Sequence, residues 1–115
     1  MNLTLAIIGH LVGDYLLQND WMALNKKKRT LPCIVHCLLW TLSVCAFSGC
    51  WKPLAIALLF TTHFLQDRTQ FVHFWMTRIN RQAQFAEPPS APWSLIVVDN
   101  VWHLVAIAAI WRFVA

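Results

Sequence analysis

The sequence predicts an all-α fold, a four-helix integral membrane bundle, and two observations carry that expectation. Hydrophobic residues fill 58% of the 115 positions and charged residues only 12%, a balance too apolar for an ordinary soluble domain. The apolar residues also gather into four blocks, at about residues 3–24, 31–50, 53–76 and 93–114, each near the ~20 residues a helix needs to cross the hydrocarbon. The chain is therefore expected to form a single transmembrane domain, residues 1–115, with little left for a soluble one.

The first block does not read as a signal peptide, because no Lys or Arg precedes it and His10 and Asp14 interrupt it. Thr30 with Pro32 opens the second block, Pro53 the third and Pro92 the fourth, each near a first-turn position where proline's missing N–H does no harm. Between the last two blocks, Glu87-Pro88-Pro89-Ser90-Ala91-Pro92 predicts a stiff, extended loop. The four cysteines, Cys33, Cys37, Cys45 and Cys50, fall in or at the end of the second block, where one helix cannot fold back to pair them. Cys33 and Cys37 flank His36 at helical spacing, but small buried apolar residues is the simpler reading of them.

The net charge of +4 is distributed as topology. Lys26, Lys27, Lys28 and Arg29 lie between the first two blocks, and Arg78 and Arg81 between the last two, so both loops are expected to face the cytoplasm and both termini the outside. Such a tract attracts anionic lipid and needs no nucleic-acid partner. Five of the seven tryptophans, Trp21, Trp51, Trp75, Trp93 and Trp111, fall at span ends, where amphipathic rings prefer the interface. Trp40 and Trp102 fall inside.

Against this apolar background, three His/Asp pairs stand four residues apart: His10 and Asp14, His63 and Asp67, Asp99 and His103. Four residues is about one helical turn, so each pair shares a helix face. An aspartate at the bilayer centre costs roughly 2.5–3.5 kcal/mol on insertion scales, and a bound cation is the simplest way to offset three of them. With the topology set by Lys, Arg and Trp, Asp14 and Asp67 come late in inward-running helices while His36 and Asp99 come early in outward-running ones. All four spans thus bring ionisable groups to the cytoplasmic half of the bilayer. The expected ligand set is His10, Asp14, His36, His63, Asp67, Asp99 and His103, with His36 as ligand or base and Asp14 as the second catalytic candidate. Imidazole with carboxylate suits zinc, and also manganese or iron, and seven donors suffice for one ion or for two bridged by a carboxylate. Gln18, Gln66 and Gln70 extend the polar face toward the cytoplasm. Gly9 and Gly13 form a small-x-x-x-small pair that lets a neighbouring helix come close. His10-x-x-x-Asp14 followed by Trp21-Met22 is echoed by His63-x-x-x-Asp67 followed by Trp75-Met76, which suggests two parallel helical hairpins.

The run Gly9-His10-x-x-Gly13-Asp14-Tyr15-x-Leu17-Gln18, with Trp21-Met22-Ala23, His36, His63-x-x-x-Asp67 and Asp99-Asn100-x-x-His103, resembles the domain-of-unknown-function family 3307. These are small multi-pass membrane proteins of bacteria and phages. The resemblance covers nearly the whole chain and implies membrane residence and importance for the His/Asp set, without implying a reaction. Asn100 stands beside Asp99 where glutamine is expected, which argues against a supporting role for it. A looser resemblance to membrane-bound metal-dependent hydrolases implies hydrolysis.

No nucleophilic serine or cysteine motif, phosphate-binding glycine loop or dinucleotide fingerprint is present. The expected function is a metal-dependent hydrolase of the inner membrane, or of a phage-infected host membrane, acting on a phosphoester or related bond of a lipid or lipid-linked substrate. In this reading Lys26, Lys27, Lys28, Arg29 and Gln18 meet the substrate. Two other classes fit the same residues. One is a metal-ion or proton transporter using the cluster, the other a noncatalytic phage or host membrane factor with the cluster as helix glue. Nothing in the sequence fixes a homo-oligomer.

Overall fold

Asparagine, proline and glycine punctuate the chain where their chemistry allows, and the computed structural model, which describes residues 2–115, is helical with no strand among the described residues. Helix α1 (Leu3–Leu11) is capped by Asn2, whose side chain accepts from the Leu5 amide at 3.1 Å. It runs on into a π-helical segment, Val12–Leu16, closed by the Leu17 amide on the Val12 carbonyl. A short α2 (Asp20–Asn25) follows, capped by Asn19. Helix α3 (Thr30–Ser48) ends on Gly49, whose φ of +75° is the left-handed conformation that a Cβ disfavours. Helix α4 (Pro53–Arg68) starts with its proline in the first turn. A one-turn α5 (Phe71–Phe74) continues as a second π-helical segment, Trp75–Ile79, and α6 (Trp93–Phe113) completes the fold.

Among the described residues, α3 and α6 are the two helices long and apolar enough to cross a membrane. The second and fourth apolar blocks are thus single helices close to their expected ends. The first and third are not. Each breaks just beyond its aspartate, at Leu17–Asn19 after Asp14 and at Thr69–Gln70 after Asp67, then resumes as a short helix whose methionine, Met22 or Met76, is buried. Hydropathy could not show this, because Leu16, Leu17 and Phe71 keep the average apolar across the break.

The segment after Ile79 also departs from expectation. In place of an extended loop it coils into turns, with the Gln82 amide on the Met76 carbonyl and the Ala91 amide on the Glu87 carbonyl. Burial anchors it: Ala86 packs with Val72 and Met76, flanked by Phe71, Phe85, Leu95 and Val98.

Two glycines set the closest helix approach. A Cβ on Gly9 would lie 2.7 Å from the Ser43 carbonyl oxygen and 2.8 Å from the Val44 Cα, and one on Gly13 would lie 2.8 Å from the Trp40 ring. Only glycine permits α1 to lie this deep against α3, and the Ser43 hydroxyl donates to the Gly9 carbonyl at 2.8 Å across the contact. The Asn2 amide on the Ser48 carbonyl marks the two helices as antiparallel. At that end, Ala6, Val44, Cys45, Ala55, Leu59, Ile107 and Ile110 make the main apolar core. The His/Asp residues lie between this core and the smaller one around Met76.

Candidate metal centre

Each of the four longer helical segments delivers one face to the middle of the bundle. The one-turn spacing of His10 and Asp14, His63 and Asp67, and Asp99 and His103 points both members of each pair inward, and His36 comes from α3. The π-helical segment holds Asp14, placing the carboxylate where the helix widens. Such bulges often mark functional positions.

Asp14, His36, His63 and Asp67, all buried, each bring one donor atom within 4.8 Å of the others. His36 Nε2 lies 3.1 Å from Asp14 Oδ1, 3.1 Å from Asp67 Oδ2 and 3.0 Å from His63 Nε2. His63 Nε2 lies 3.4 Å from Asp14 Oδ1 and 3.1 Å from Asp67 Oδ2. A tetrahedral ion with bonds near 2.0–2.1 Å separates its ligands by about 3.3 Å, so these edges already have the length that zinc-type coordination requires. Asp14 Oδ1 is buried with no neighbour but the two imidazoles, and Asp67 Oδ2 adds to them only the Lys26 ammonium at 3.2 Å. Two carboxylates meeting in a buried place with a single ammonium beside them are costly, and an ion at their meeting point removes the cost. The residues present fit a metal ion on both counts. His36 Nδ1 and His63 Nδ1 are without protein partners.

The second oxygens of both carboxylates face a neighbouring group. Asp67 Oδ1 is 3.2 Å from His103 Nε2, which is 3.2 Å from Asp99 Oδ2 and 4.0 Å from Asp14 Oδ2. His103 Nε2 thus bridges the carboxylates of Asp67 and Asp99. Asp14, Asp99 and His103 form a second group able to hold an ion. Gln66 orients Asp99, its amide donating at 2.8 Å to the Asp99 carbonyl and at 2.9 Å to the carboxylate.

His10 is placed otherwise. Its Nδ1 accepts from Trp40 Nε1 at 3.0 Å, which puts the ring proton on Nε2, 2.6 Å from the Asn100 side-chain oxygen. Nδ1 is 3.5 Å from Asp14 Oδ2 but already holds Trp40. Six of the seven expected ligands therefore meet in the two donor groups, and His10 buttresses them. Trp40 and Asn100 are the residues sequence reasoning missed. The Trp40 ring also stacks on His63, with centroids 4.0 Å apart. The signal was present, since Trp40 is one turn beyond His36 and carries a polar handle that needs a buried partner. Asn100, argued out of a supporting role by its identity, has one.

The basic tract divides. Lys26 Nζ lies 3.2 Å from Asp67 Oδ2, with only 16% of its side chain exposed. Burial alone would lower its pKa, but the carboxylates of Asp67, Asp14 and Asp99 outweigh burial and hold it above the ordinary lysine value. Lys27 donates to the carbonyls of Gln66, Asp67 and Thr69, closing the end of α4, and Arg68 returns a bond to the Lys27 carbonyl at 2.6 Å. Lys28 and Arg29 are exposed. Gln18 reaches back to the carbonyl of Asp14 at 3.3 Å. All four cysteines are free and buried, and none belongs to the donor groups. A cleft of about 240 Å³ adjoins the centre, lined by the polar Lys26, His73 and Asp99 and the apolar Val72, Leu95 and Ile96.

The chain belongs to the family described as protein of unknown function (DUF3307), which matches residues 2–115. No curated protein and no solved structure matches it.

Proposed function

We propose that this member of a family of unknown function is a membrane-embedded, metal-dependent hydrolase that cleaves a phosphoester or related bond of a lipid or lipid-linked substrate at the cytoplasmic leaflet. The observation that carries the reading is the spacing of 3.0–3.4 Å that His36 Nε2 and His63 Nε2 keep from each other and from Asp14 Oδ1 and Asp67 Oδ2, which brings two buried carboxylates together. Zinc suits the donor set best, with manganese or iron as the alternatives and a second ion at Asp14, Asp99 and His103.

Four membrane crossings are part of the proposal. Besides α3 and α6, the α1–π segment and α4 would cross, helped by their breaks at the cytoplasmic side. The long dimension of 40 Å suits a hydrocarbon layer of about 30 Å. Large apolar side chains exposed on every long helix, among them Ile8, Leu38, Leu42, Leu54, Val101 and Val105, suit lipid contact.

A bound divalent ion supplies Lewis acidity to phosphoryl oxygens and acidifies water. The protein's own groups do the rest. Asp99, at the rim of the cleft and held by Gln66 and His103, takes the proton from the attacking water. As the water oxygen bonds to phosphorus, the bond to the leaving alkoxide breaks and that oxygen collects a proton from solvent. The apolar wall of the cleft accepts the lipid chain.

One arrangement favours an enzyme over a transporter. Trp40, Leu59 and Ile107 pack almost without exposure in the main apolar core, whereas the cleft is lined by Lys26 and Asp99. Purified protein loaded with zinc, manganese or iron should therefore release alcohol or phosphate from a phospholipid in mixed micelles. Asp99→Asn should keep the first ion and lose about 10²–10⁴-fold in kcat. No turnover with any of the three ions, together with ion flux across proteoliposomes, would give the transporter reading instead.

A further inference from the structure

Asp67 Oδ2 has two claimants. It is one of the four converging donor atoms, 3.1 Å from His36 Nε2 and 3.1 Å from His63 Nε2, and it is also the oxygen that Lys26 Nζ approaches to 3.2 Å. An ammonium and a divalent cation at one carboxylate oxygen repel each other, in a buried place where water screens little. The Lys26 backbone has little freedom to retreat, since its amide bonds the Met22 carbonyl and its neighbour Lys27 is fastened to the end of α4. The side chain does have somewhere to go. Lys26 lines the cleft of about 240 Å³, whose lining also includes the apolar side chains of Val72, Leu95 and Ile96.

We propose that Lys26 is an ion-responsive anion receptor: with the centre empty its ammonium neutralises Asp67, and when an ion takes Asp67 Oδ2 the ammonium turns into the cleft to receive the phosphoryl group of a single- or double-chain lipid phosphate. The inference rests on the metal-centre reading above. Formal charge supports it. The four-donor group carries two carboxylates, Asp14 and Asp67, so a divalent ion there balances both without Lys26 and frees the ammonium for a new anion. Anionic headgroup and apolar tail then match the ammonium and the apolar side chains that line one cleft. Lys26 thereby couples ion loading to substrate binding, and the empty protein does not hold substrate.

The test is calorimetric titration of the full chain in detergent with zinc, then with inorganic phosphate and with dodecyl phosphate, for the unaltered protein, Lys26→Met and Lys26→Arg. The expected results are that Lys26→Met binds zinc about tenfold more tightly because a competing charge is gone. The zinc-loaded Lys26→Met protein should lose affinity for both phosphates by about tenfold, and Lys26→Arg should keep it. Dodecyl phosphate should bind more tightly than inorganic phosphate, and neither should bind without zinc. Equal phosphate affinities would overturn the lipid assignment, and phosphate binding untouched by Lys26→Met would overturn the receptor role. Zinc affinity that falls or stays constant in Lys26→Met would overturn the competition, whereas no zinc uptake by the unaltered protein would overturn the metal centre itself. Thermal unfolding of each variant, which should match the unaltered protein within a few degrees, separates these results from misfolding.

Discussion

At the scale of single residues, the centre depends on side chains that never reach the ion position. Trp40 is the clearest case. It donates to His10, stacks on His63 and sits against the face of Gly13, so one indole fixes the positions of three groups around the donor atoms. Trp40→Phe keeps an aromatic ring but removes the N–H and part of the indole's volume. The expected outcome is a loss of about 1–3 kcal/mol in stability, read by thermal unfolding in detergent. Zinc affinity should weaken with it, because His10 regains a free nitrogen 3.5 Å from Asp14 Oδ2 and no longer holds a fixed tautomer. Most of the donor set was legible in the sequence, because a turn of helix separates the members of each His/Asp pair and charged groups in apolar helices must meet partners. The withdrawal of His10 was not legible. It depends on which residue of α3 faces α1, a matter of helix rotation that spacing along one helix does not encode. The same holds for Lys26, which appeared as one charge among four and proves to be the one that reaches the centre.

At the scale of elements, the two helices that carry His-x-x-x-Asp both stop just past the aspartate. A helix end frees carbonyls, and here Lys27 and Arg68 knit the end of α4 to the turn after α2. The breaks thus bring the basic turn over the centre, an arrangement two unbroken spans would not allow. The polar run Gln18-Asn19-Asp20, with Asn19 as an N-cap, was the available sign of the first break, outweighed by the leucines before it. Helix α1 in turn depends on Gly9. Gly9→Ala places a methyl 2.7 Å from a backbone oxygen of α3, so α1 must shift, at a cost of about 1–3 kcal/mol. Asp14 moves with it. Thermal unfolding should show the loss, and ion affinity should fall although no ligand has changed. Ala57→Gly, exposed on α4, serves as the control and should leave ion affinity unaltered.

At the scale of the whole molecule, polarity is sorted inward and apolarity outward. Leu5, Leu39, Leu65, Ile96 and Val97 are exposed, while His10, His36, His63, His103, Asp14 and Asp67 are buried. That is the reverse of a soluble bundle and the reason the overall composition was so informative. A core of carboxylates and imidazoles cannot hold four helices together by the hydrophobic effect, so the bundle relies on the apolar clusters at either end and on whatever neutralises the carboxylates between them. The claim on which the account stands is that this neutraliser is a metal ion. Elemental analysis of the detergent-purified chain, beside His63→Ala and Asp67→Asn, tests it most directly. The expected result is a stoichiometric divalent transition metal in the unaltered protein that is lost from both variants. A folded, unaltered protein without metal, or variants that retain it in full, would rule the metal centre out.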